Sequence, residues 1–268
     1  MPIVCAAIAP HGGLAIPELS TDLSQGATTR ASMQELGRRF AAAKPDTIFL
    51  ITPHGIRIEG AFAVSGGWKA KGEIGPIKQE FDIDVDLSRA IVDQSNKNGV
   101  PAGLVSTGGS SGPSSTVPLD WGATVPFYFM GGSWNPKPKV VVAGPTRALT
   151  LQQHVDFGRA VAQACQASAT RVGYIASSDL GHAHDSNGPY GFHPAAAQFD
   201  HWLADRIKED NLLGLLDADL DLAANAKPDG LWQILTLAGA RQVVPMKGEF
   251  LSYEVPTYFG LLCAGYAV

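Results

Sequence analysis

Two histidines follow directly on apolar, strand-like segments of the chain. His11 follows the run Ile3–Pro10, His54 follows the run Thr47–Pro53, and each lies within a Pro-His-Gly tripeptide. Both histidines therefore stand where a buried strand gives way to a loop, and in open α/β sheets that carboxyl end is where ligands bind. Two imidazoles delivered to one sheet edge on separate strands would form half of a metal site.

A third polar segment follows the apolar run Arg171–Ser177. It contains Asp179, His182, His184, Asp185 and, further on, His193. A carboxylate such as Asp179 orients an imidazole by accepting its second N–H, and imidazole exchanges protons near neutral pH, so His182 suits general acid–base chemistry. The alternative is that Asp179 caps a turn while His182 contacts only water, but the density of polar groups after a core strand favours the active role.

The remaining metal ligand is sought among the carboxylates near the C-terminus. Asp229 lies in Lys227-Pro228-Asp229-Gly230 at the start of a predicted helix, where its alternative role is to cap that helix. Glu254 lies in the strand-like segment Leu251–Val255, where its alternative is to face solvent. Both remain candidates.

The composition excludes several classes of protein. The 268 residues are 45% hydrophobic and 17% charged, and the net charge of −5 with scattered Lys and Arg argues against nucleic-acid binding. Three widely spaced cysteines, Cys5, Cys165 and Cys263, predict buried thiols in a reducing compartment. The sequence lacks signal-peptide features and any apolar run of about 20 residues, so we expect no membrane span and a soluble, cytoplasmic protein.

Strand-like and helix-like segments alternate along the chain. Continuous apolar runs rich in Val and Ile predict central strands at Ile3–Ala9, Asp46–Thr52, Phe62–Ser65, Lys139–Ala143 and Arg171–Ser177. Periodic apolar residues predict helices at Thr28–Ala43, Asp86–Lys97, Leu151–Ala167, Pro194–Lys208 and Gly230–Ala240. We therefore expect a single α/β domain over residues 1–268, with a central mostly parallel or mixed sheet flanked by helices.

A Gly-x-Ser-x-Gly string occurs at Gly108–Gly112, within the polar stretch Ser106–Thr116 that we expect to be a loop. The nucleophile elbow of serine hydrolases needs a strand before this string and a helix directly after it. Here Pro113 and three hydroxyl residues follow instead, which argues against a serine hydrolase. The sequence also has no Gly-rich phosphate loop of Walker or Rossmann spacing.

Five short motifs together resemble a known family. They are Pro10-His11-Gly12, Thr52-Pro53-His54-Gly55, Ser178-Asp179-Leu180-Gly181-His182, Gly188-Pro189-Tyr190-Gly191 and Leu251-Ser252-Tyr253-Glu254. Their order is similar to that in the catalytic chains of class III extradiol ring-cleavage dioxygenases of the LigB-like superfamily, to which Memo-like proteins are related. The resemblance covers nearly the whole chain.

The resemblance implies a mononuclear Fe(II) held by two histidines and one carboxylate, the arrangement of many non-heme iron oxygenases. His11 and His54 would be the imidazole ligands, and His182 would match the histidine that deprotonates a catechol. The implied partners are a small aromatic diol or aminophenol and O2. The family also implies a homodimer or an assembly with a partner subunit.

The sequence departs from the family pattern at two places. Pro228 occupies the position expected for the ligand glutamate and cannot ligate, so we expect Asp229 to take its place. Trp121 stands where family enzymes carry a histidine that helps to hold substrate. We therefore expect Trp121 to stack on the substrate and the polar residues His184, His193 and Asp179 to contact it.

Three hypotheses follow from these observations. The first is an Fe(II)-dependent extradiol-type dioxygenase with His11, His54 and Asp229 as metal ligands and His182 as acid–base. The second is a diverged Memo-like metalloprotein that binds zinc, copper or another ligand without ring cleavage, since zinc accepts the same ligands. The third is a scaffold or partner subunit whose site has decayed.

Overall fold

The computed structural model describes residues 2–107, 112 and 114–268. Most of the Gly108–Gly112 string lies outside the described residues. The strands are β1 (Ile3–Ala9), β2 (Thr47–Ile51), β3 (Phe62–Ser65), β4 (Lys69–Ile74), β5 (Ile77–Asp82), β6 (Ala102–Val105), β7 (Thr116–Leu119), β8 (Lys139–Gly144), β9 (Val172–Ser177), β10 (Lys247–Glu254) and β11 (Leu261–Ala267). The α-helices are α1 (Ala27–Ala43), α2 (Val85–Lys97), α3 (Trp121–Phe129), α4 (Leu151–Ala167), α5 (Ala195–Lys208), α6 (Leu220–Ala226) and α7 (Leu231–Val243).

Eight strands form the main sheet in the order β10-β11-β1-β9-β2-β8-β3-β6. The four central strands β1, β9, β2 and β8 are mutually parallel, whereas β11 pairs antiparallel with β1 and β3 pairs antiparallel with β8. Parallel strands place their carboxyl ends at one edge, so the loops after β1, β9, β2 and β8 converge there. The structure confirms the predicted α/β class, and the sheet is mixed.

Strand β2 explains why the central segments have continuous apolar runs. All five of its residues are buried. Ile48 and Leu50 pack on the face covered by α1 and α3, whereas Phe49 and Ile51 pack on the opposite face with residues of α4 and α7. Because side chains alternate between the two faces of a strand, a sheet covered on both faces requires apolar residues at every position.

A second sheet of three strands, in the order β5-β4-β7, was not predicted from the sequence. Strand β4 carries Lys69, Lys71 and Glu73, and several of its side chains remain exposed, so it has no continuous apolar signal. Strand β7 begins at Thr116, and Thr116 also pairs with Thr107, so the expected loop has paired ends. The strand leads directly into α3, whose first turn lies at the candidate site.

Candidate metal centre

His11 follows β1 and is almost completely buried. Its backbone N–H donates to Asp179 Oδ1 at 2.8 Å, and its ring Nδ1 lies 2.9 Å from Ser177 Oγ. The Ser177 hydroxyl donates its proton to the Gly122 carbonyl at 2.5 Å. Because the hydroxyl has one proton and donates it to the carbonyl, Ser177 Oγ can only accept a hydrogen bond from His11 Nδ1–H. The lone pair of the neutral ring is therefore on Nε2, which points away from Ser177.

His54 follows β2, and its Nε2 lies 3.2 Å from His11 Nε2. The turn after it depends on glycine, since Gly55 has a φ of +88°, a left-handed backbone that disfavours residues with a Cβ. The neighbouring backbone also approaches closely. A Cβ on Gly122 would lie 2.2 Å from Thr52 Oγ1 and 3.0 Å from His54 Cδ2. The imidazole thus lies beside two positions that strongly favour glycine.

Asp229 lies between α6 and α7 and completes the cluster. Its Oδ2 lies 3.2 Å from His11 Nε2 and 3.6 Å from His54 Nε2, and its Oδ1 accepts from the Asp179 backbone N–H at 2.9 Å. The residue does not cap α7, because the N-cap position belongs to Gly230, which has no side chain that could bond the first turn. Both carboxylate oxygens of Asp229 are therefore directed to the histidines and to Asp179.

These three side chains offer ligand atoms that all lie within 4.8 Å of one another. A divalent metal with bonds of about 2.1 Å would separate neighbouring ligand atoms by about 3.0 Å at right angles and about 3.4 Å at tetrahedral angles. The observed separations of 3.2 to 3.6 Å are close to both values. Two imidazole nitrogens and one carboxylate oxygen therefore suit Fe(II) or Zn²⁺.

Glu254, the other candidate carboxylate, lies elsewhere. It closes β10, and its Oε1 accepts from the backbone N–H of Thr29 at 2.5 Å. Thr29 lies in the first turn of α1, where backbone N–H groups lack partners within the helix. Glu254 thus satisfies the start of α1, and the carboxylate that lies with the two histidines is that of Asp229; His11, His54 and Asp229 are called the metal-ligand cluster below.

Burial and the neighbouring charges shift the pKa values of the ionisable groups in and around the cluster. Burial by itself lowers the pKa of His11, but the carboxylates of Asp179 and Asp229 outweigh burial and raise it to about 9. For Asp229, burial alone raises the pKa, yet His11 and the neighbouring histidines bring it well below the usual range. Burial raises the pKa of Asp179 and of Asp120. The site therefore attracts positive charge, which is what a cation-binding site requires.

His182 approaches the cluster from the loop after β9. Its Nδ1 lies 2.9 Å from the carbonyl oxygen of Lys227, which can only accept a hydrogen bond, so Nδ1 carries the proton. Its Nε2 lies 4.0 Å from Asp229 Oδ2. The ring stacks on Phe259, with centroids 5.3 Å apart and planes 11° apart. In the tautomer favoured by this contact, the lone pair is on Nε2, which lies beside the metal-ligand cluster.

Two of the predicted substrate-binding residues lie in contact with the ligands. The Trp121 ring is half exposed, and its centroid lies 4.3 Å from that of His54. Asp179 is buried beneath the cluster, where it bonds the backbone of His11 and, through its own N–H, Asp229. Trp121 is therefore exposed beside His54, whereas Asp179 supports His11 and Asp229.

The other two predicted substrate-binding residues are engaged elsewhere. His184 Nε2 lies 2.8 Å from Oδ2 of the fully buried Asp200, which also accepts from the Gly181 backbone and the Tyr253 hydroxyl. His193 is exposed, and its Nδ1 accepts from the backbone of Ala195 at the start of α5. In this structure the His184 side chain joins its loop to α5, and the His193 side chain bonds the backbone at the start of the same helix.

Sequence reasoning missed three residues near the centre. Ser177 orients His11, Asp120 accepts from the backbone of Ala123 at the start of α3, and Arg147 follows β8. All three residues share one sequence feature, since each lies at or shortly after the carboxyl end of a strand. Ser177 and Arg147 belong to the sheet edge where His11 and His54 lie. The sequence-based prediction sought its metal ligands among histidines and C-terminal carboxylates, and so assigned no role to Ser177, Asp120 or Arg147.

The chain belongs to the family described as the catalytic LigB subunit of aromatic ring-opening dioxygenase, which it matches over residues 6–261. Membership in this family, which is typically metal-dependent, agrees with the His-His-Asp cluster. The fold and site thus define a LigB-type, dioxygenase-like α/β protein.

Two individual proteins are similar to the chain. Protein CA_C1420 of Clostridium acetobutylicum is 28% identical over 266 residues, which cover 97% of this chain and 55% of that protein. The chain therefore spans about half the length of this curated relative. The solved structure of the uncharacterized protein JW3007 from Escherichia coli K12 superposes with a TM-score of 0.67 at 15% identity, covering 98% of this chain and 99% of the other. That likeness establishes the fold.

Among the described residues, no helix combines the length and apolar character needed to cross a membrane. The three cysteines are buried and unpaired, as the sequence predicted.

Proposed function

We propose that this protein is a non-heme Fe(II)-dependent extradiol dioxygenase that opens the ring of a catechol or an aminophenol. The observation that carries the proposal is the placement of His11, His54 and Asp229, whose ligand atoms converge with His182 beside them. Two histidines and one carboxylate on one side of a metal leave other coordination positions for substrate and O2. Family membership supports the same reaction class.

Each residue of the cluster has a defined task in this proposal. His11, His54 and Asp229 would hold the iron, which when bound supplies the electron exchange that lets O2 react with an aromatic diol. His182 would accept the substrate hydroxyl proton on Nε2, because the Lys227 carbonyl keeps the other ring nitrogen protonated. Phe259, stacked on His182, limits the rotation of that imidazole.

The surroundings of the cluster suit a flat aromatic substrate. Trp121 lies over His54 with half of its surface exposed, and Tyr190, also exposed, lies 5.9 Å from His182 between ring centroids. Aromatic rings gain from offset or edge contacts with one another. Both exposed rings would therefore offer aromatic surface to a flat substrate ring that reaches the proposed metal ligands.

The test uses protein purified anaerobically and assayed in air with Fe(II) and a panel of catechols and aminophenols. We expect iron near one equivalent, O2 uptake and a yellow ring-fission product. His11→Ala should lose both iron and activity. His201→Ala, which removes an exposed histidine of α5, should retain both. Full activity with stoichiometric iron in His11→Ala, or no O2 uptake with any substrate by iron-loaded wild type, would overturn the proposal.

A second candidate is a Memo-like metalloprotein that binds zinc without ring cleavage. The observation in its favour is Trp121, which stands where family enzymes carry a substrate-holding histidine and covers part of His54. The ligand separations also suit tetrahedral zinc. Stoichiometric zinc in the purified protein, together with no O2 uptake after iron reconstitution, would favour this candidate. Failure to bind any divalent metal would favour a decayed scaffold instead.

A further inference from the structure

Asp200 is a carboxylate of α5 that is completely buried beside the loop that carries His182. Its Oδ1 accepts from the Gly181 N–H at 2.7 Å, and its Oδ2 accepts from His184 Nε2 at 2.8 Å and from the Tyr253 hydroxyl at 2.9 Å. A carboxylate withdrawn from water costs free energy unless donors surround it. Two of these three donors belong to residues on either side of His182, so the buried carboxylate binds the segment that carries this imidazole.

The backbone at Gly181 lies directly on α5. A Cβ at this position would lie 2.9 Å from Asp200 Oδ1 and 3.1 Å from the Cα of Ala196, which leaves little room for a side chain. Helix α5 is itself packed into the core, where Phe199 is buried. The helix therefore gives the loop before His182 a fixed support.

Asp200 also lies against the segment that carries the ring stacked on His182. Gly260 donates its N–H to the Gly181 carbonyl at 3.0 Å, and a Cβ on Gly260 would collide with Asp200 Oδ2. Gly260 directly follows Phe259, whose ring stacks on the His182 imidazole. One buried carboxylate thus contacts both segments that determine where this imidazole lies.

We infer that Asp200 is a positioning residue that fixes the orientation of the His182 imidazole. Its bonds to Gly181 and His184 anchor the loop on both sides of that side chain. The anchored loop keeps His182 Nδ1 on the Lys227 carbonyl at 2.9 Å and leaves Nε2 beside the metal-ligand cluster. Its effect on turnover rests on the proposed function, whereas the orientation of the imidazole is a property of the fold. Asp200 is buried and contacts no reacting atom.

The first experiment measures the tautomer of His182 without turnover. Zinc-loaded protein containing histidine labelled with ¹⁵N is studied by long-range NMR at a pH that keeps the ring neutral, and the His182 signals are assigned by their absence in His182→Gln. The wild type should show the Nδ1–H tautomer, because the Lys227 carbonyl can only accept. In Asp200→Ala, which removes both acceptor oxygens, the signals should become those of a mixture of the two tautomers.

The second experiment measures turnover by iron-loaded protein in a double-mutant cycle. Asp200→Ala alone should lower kcat about 10- to 100-fold, the effect of displacing a catalytic group, with iron content and the KM for the catechol nearly unchanged. In the His182→Gln background the same change should lower kcat less than about twofold, since a positioning residue acts only through the group that it positions. Asp200→Asn keeps one acceptor oxygen and should recover part of the lost kcat.

The matched control is Ile207→Ala, which opens a cavity in the same helix two turns from Asp200. It should lower the urea concentration at which the protein unfolds and leave the His182 tautomer and kcat as in wild type. If Asp200→Ala does not fold, Asp200→Asn should show smaller changes in the same direction in both experiments.

An unchanged His182 tautomer in the folded Asp200 variants would overturn the inference. An equal loss of kcat in both backgrounds of the cycle would also overturn it, because Asp200 would then act on turnover independently of His182. A changed tautomer in a protein that cleaves no aromatic ring would support the positioning role and overturn only the proposed function.

Discussion

The Nε2 atom of His11 and the Oδ2 atom of Asp229 lie 3.2 Å apart, although 218 positions of the chain separate the two residues. A third residue, Asp179, ties them together. Its carboxylate accepts from the backbone N–H of His11, and its own backbone N–H donates to the second oxygen of Asp229. Asp179 therefore holds His11 by its backbone and Asp229 by one carboxylate oxygen. These contacts leave His11 Nε2 and Asp229 Oδ2 facing each other.

Replacing Ser177 should weaken metal binding without removing a ligand. The Ser177 hydroxyl accepts from His11 Nδ1–H and so keeps Nε2 available. We expect Ser177→Ala to lower the affinity for Fe(II) or Zn²⁺ about 10- to 100-fold, the usual effect of losing a partner that orients a metal ligand. Competition titrations with a chelating dye would measure this. The matched control is Ser178→Ala, because the Ser178 hydroxyl bonds the Ala176 carbonyl instead.

Replacing His182 should affect turnover rather than metal content. Its Nε2 lies 4.0 Å from Asp229 Oδ2, beside the ligand cluster rather than within it. We expect His182→Gln to keep iron near one equivalent and to lower kcat about 10²- to 10⁴-fold, the range for loss of a general base. Iron analysis and initial rates of O2 uptake measure the two quantities. Loss of iron in parallel with activity would contradict a role in proton transfer.

Asp200 should be important for stability through the loop that carries His182. Its buried carboxylate accepts from the Gly181 N–H, His184 Nε2 and the Tyr253 hydroxyl. Asp200→Asn removes the charge, and its amide group cannot accept at both former oxygen positions. We expect a loss of about 1–3 kcal/mol in the free energy of unfolding, measured by urea denaturation.

The control for this variant is Tyr253→Phe, which removes one donor and keeps the carboxylate. It should cost about 1 kcal/mol, the net value of a typical hydrogen bond, and less than Asp200→Asn. If Asp200→Asn unfolded at the same urea concentration as wild type, the cluster would not stabilise this loop.

The metal-free protein should lose stability as the pH rises through the range in which His11 titrates. Burial opposes protonation of His11, but Asp179 and Asp229 raise its pKa from 6.5 to about 9. A raised pKa in the folded state means that the protonated form stabilises the fold below about pH 6.5. That contribution is lost by the time the pH passes 9. Urea denaturation of chelator-treated protein at several pH values should show this decline.

The metal-loaded protein provides the comparison for that measurement. A metal ligand must be deprotonated, so a bound metal replaces the His11 proton and the decline should become smaller. Titration of zinc near pH 7.5 in buffers of different ionisation enthalpy should also detect proton release. In metal-free His11→Asn, the loss of stability with rising pH should be smaller than in metal-free wild type. An unchanged loss in that variant would mean that another titratable group causes it.

Local sequence patterns are enough to locate the strands that precede the two histidines of the cluster. The apolar runs before His11 and His54 correspond to β1 and β2, because strands buried on both faces need apolar residues at every position. The two Pro-His-Gly tripeptides lie directly after those strands, as expected. The polar strands β4 and β5 escaped prediction because one face of each is solvated, so their sequences have no continuous apolar signal.

Which distant groups meet depends on the packing of the whole chain. The position of β9 beside β1 brings Ser177 and Asp179 against His11, and strand order depends on packing between segments far apart in sequence. The sequence around Asp229 is compatible with two roles, because an aspartate before a helix can either cap that helix or face a metal site. The structure places Glu254 at the start of α1 and Asp229 against His11, which favours Asp229 as the proposed ligand. Long-range contacts fix such roles, and they leave no local pattern in the chain.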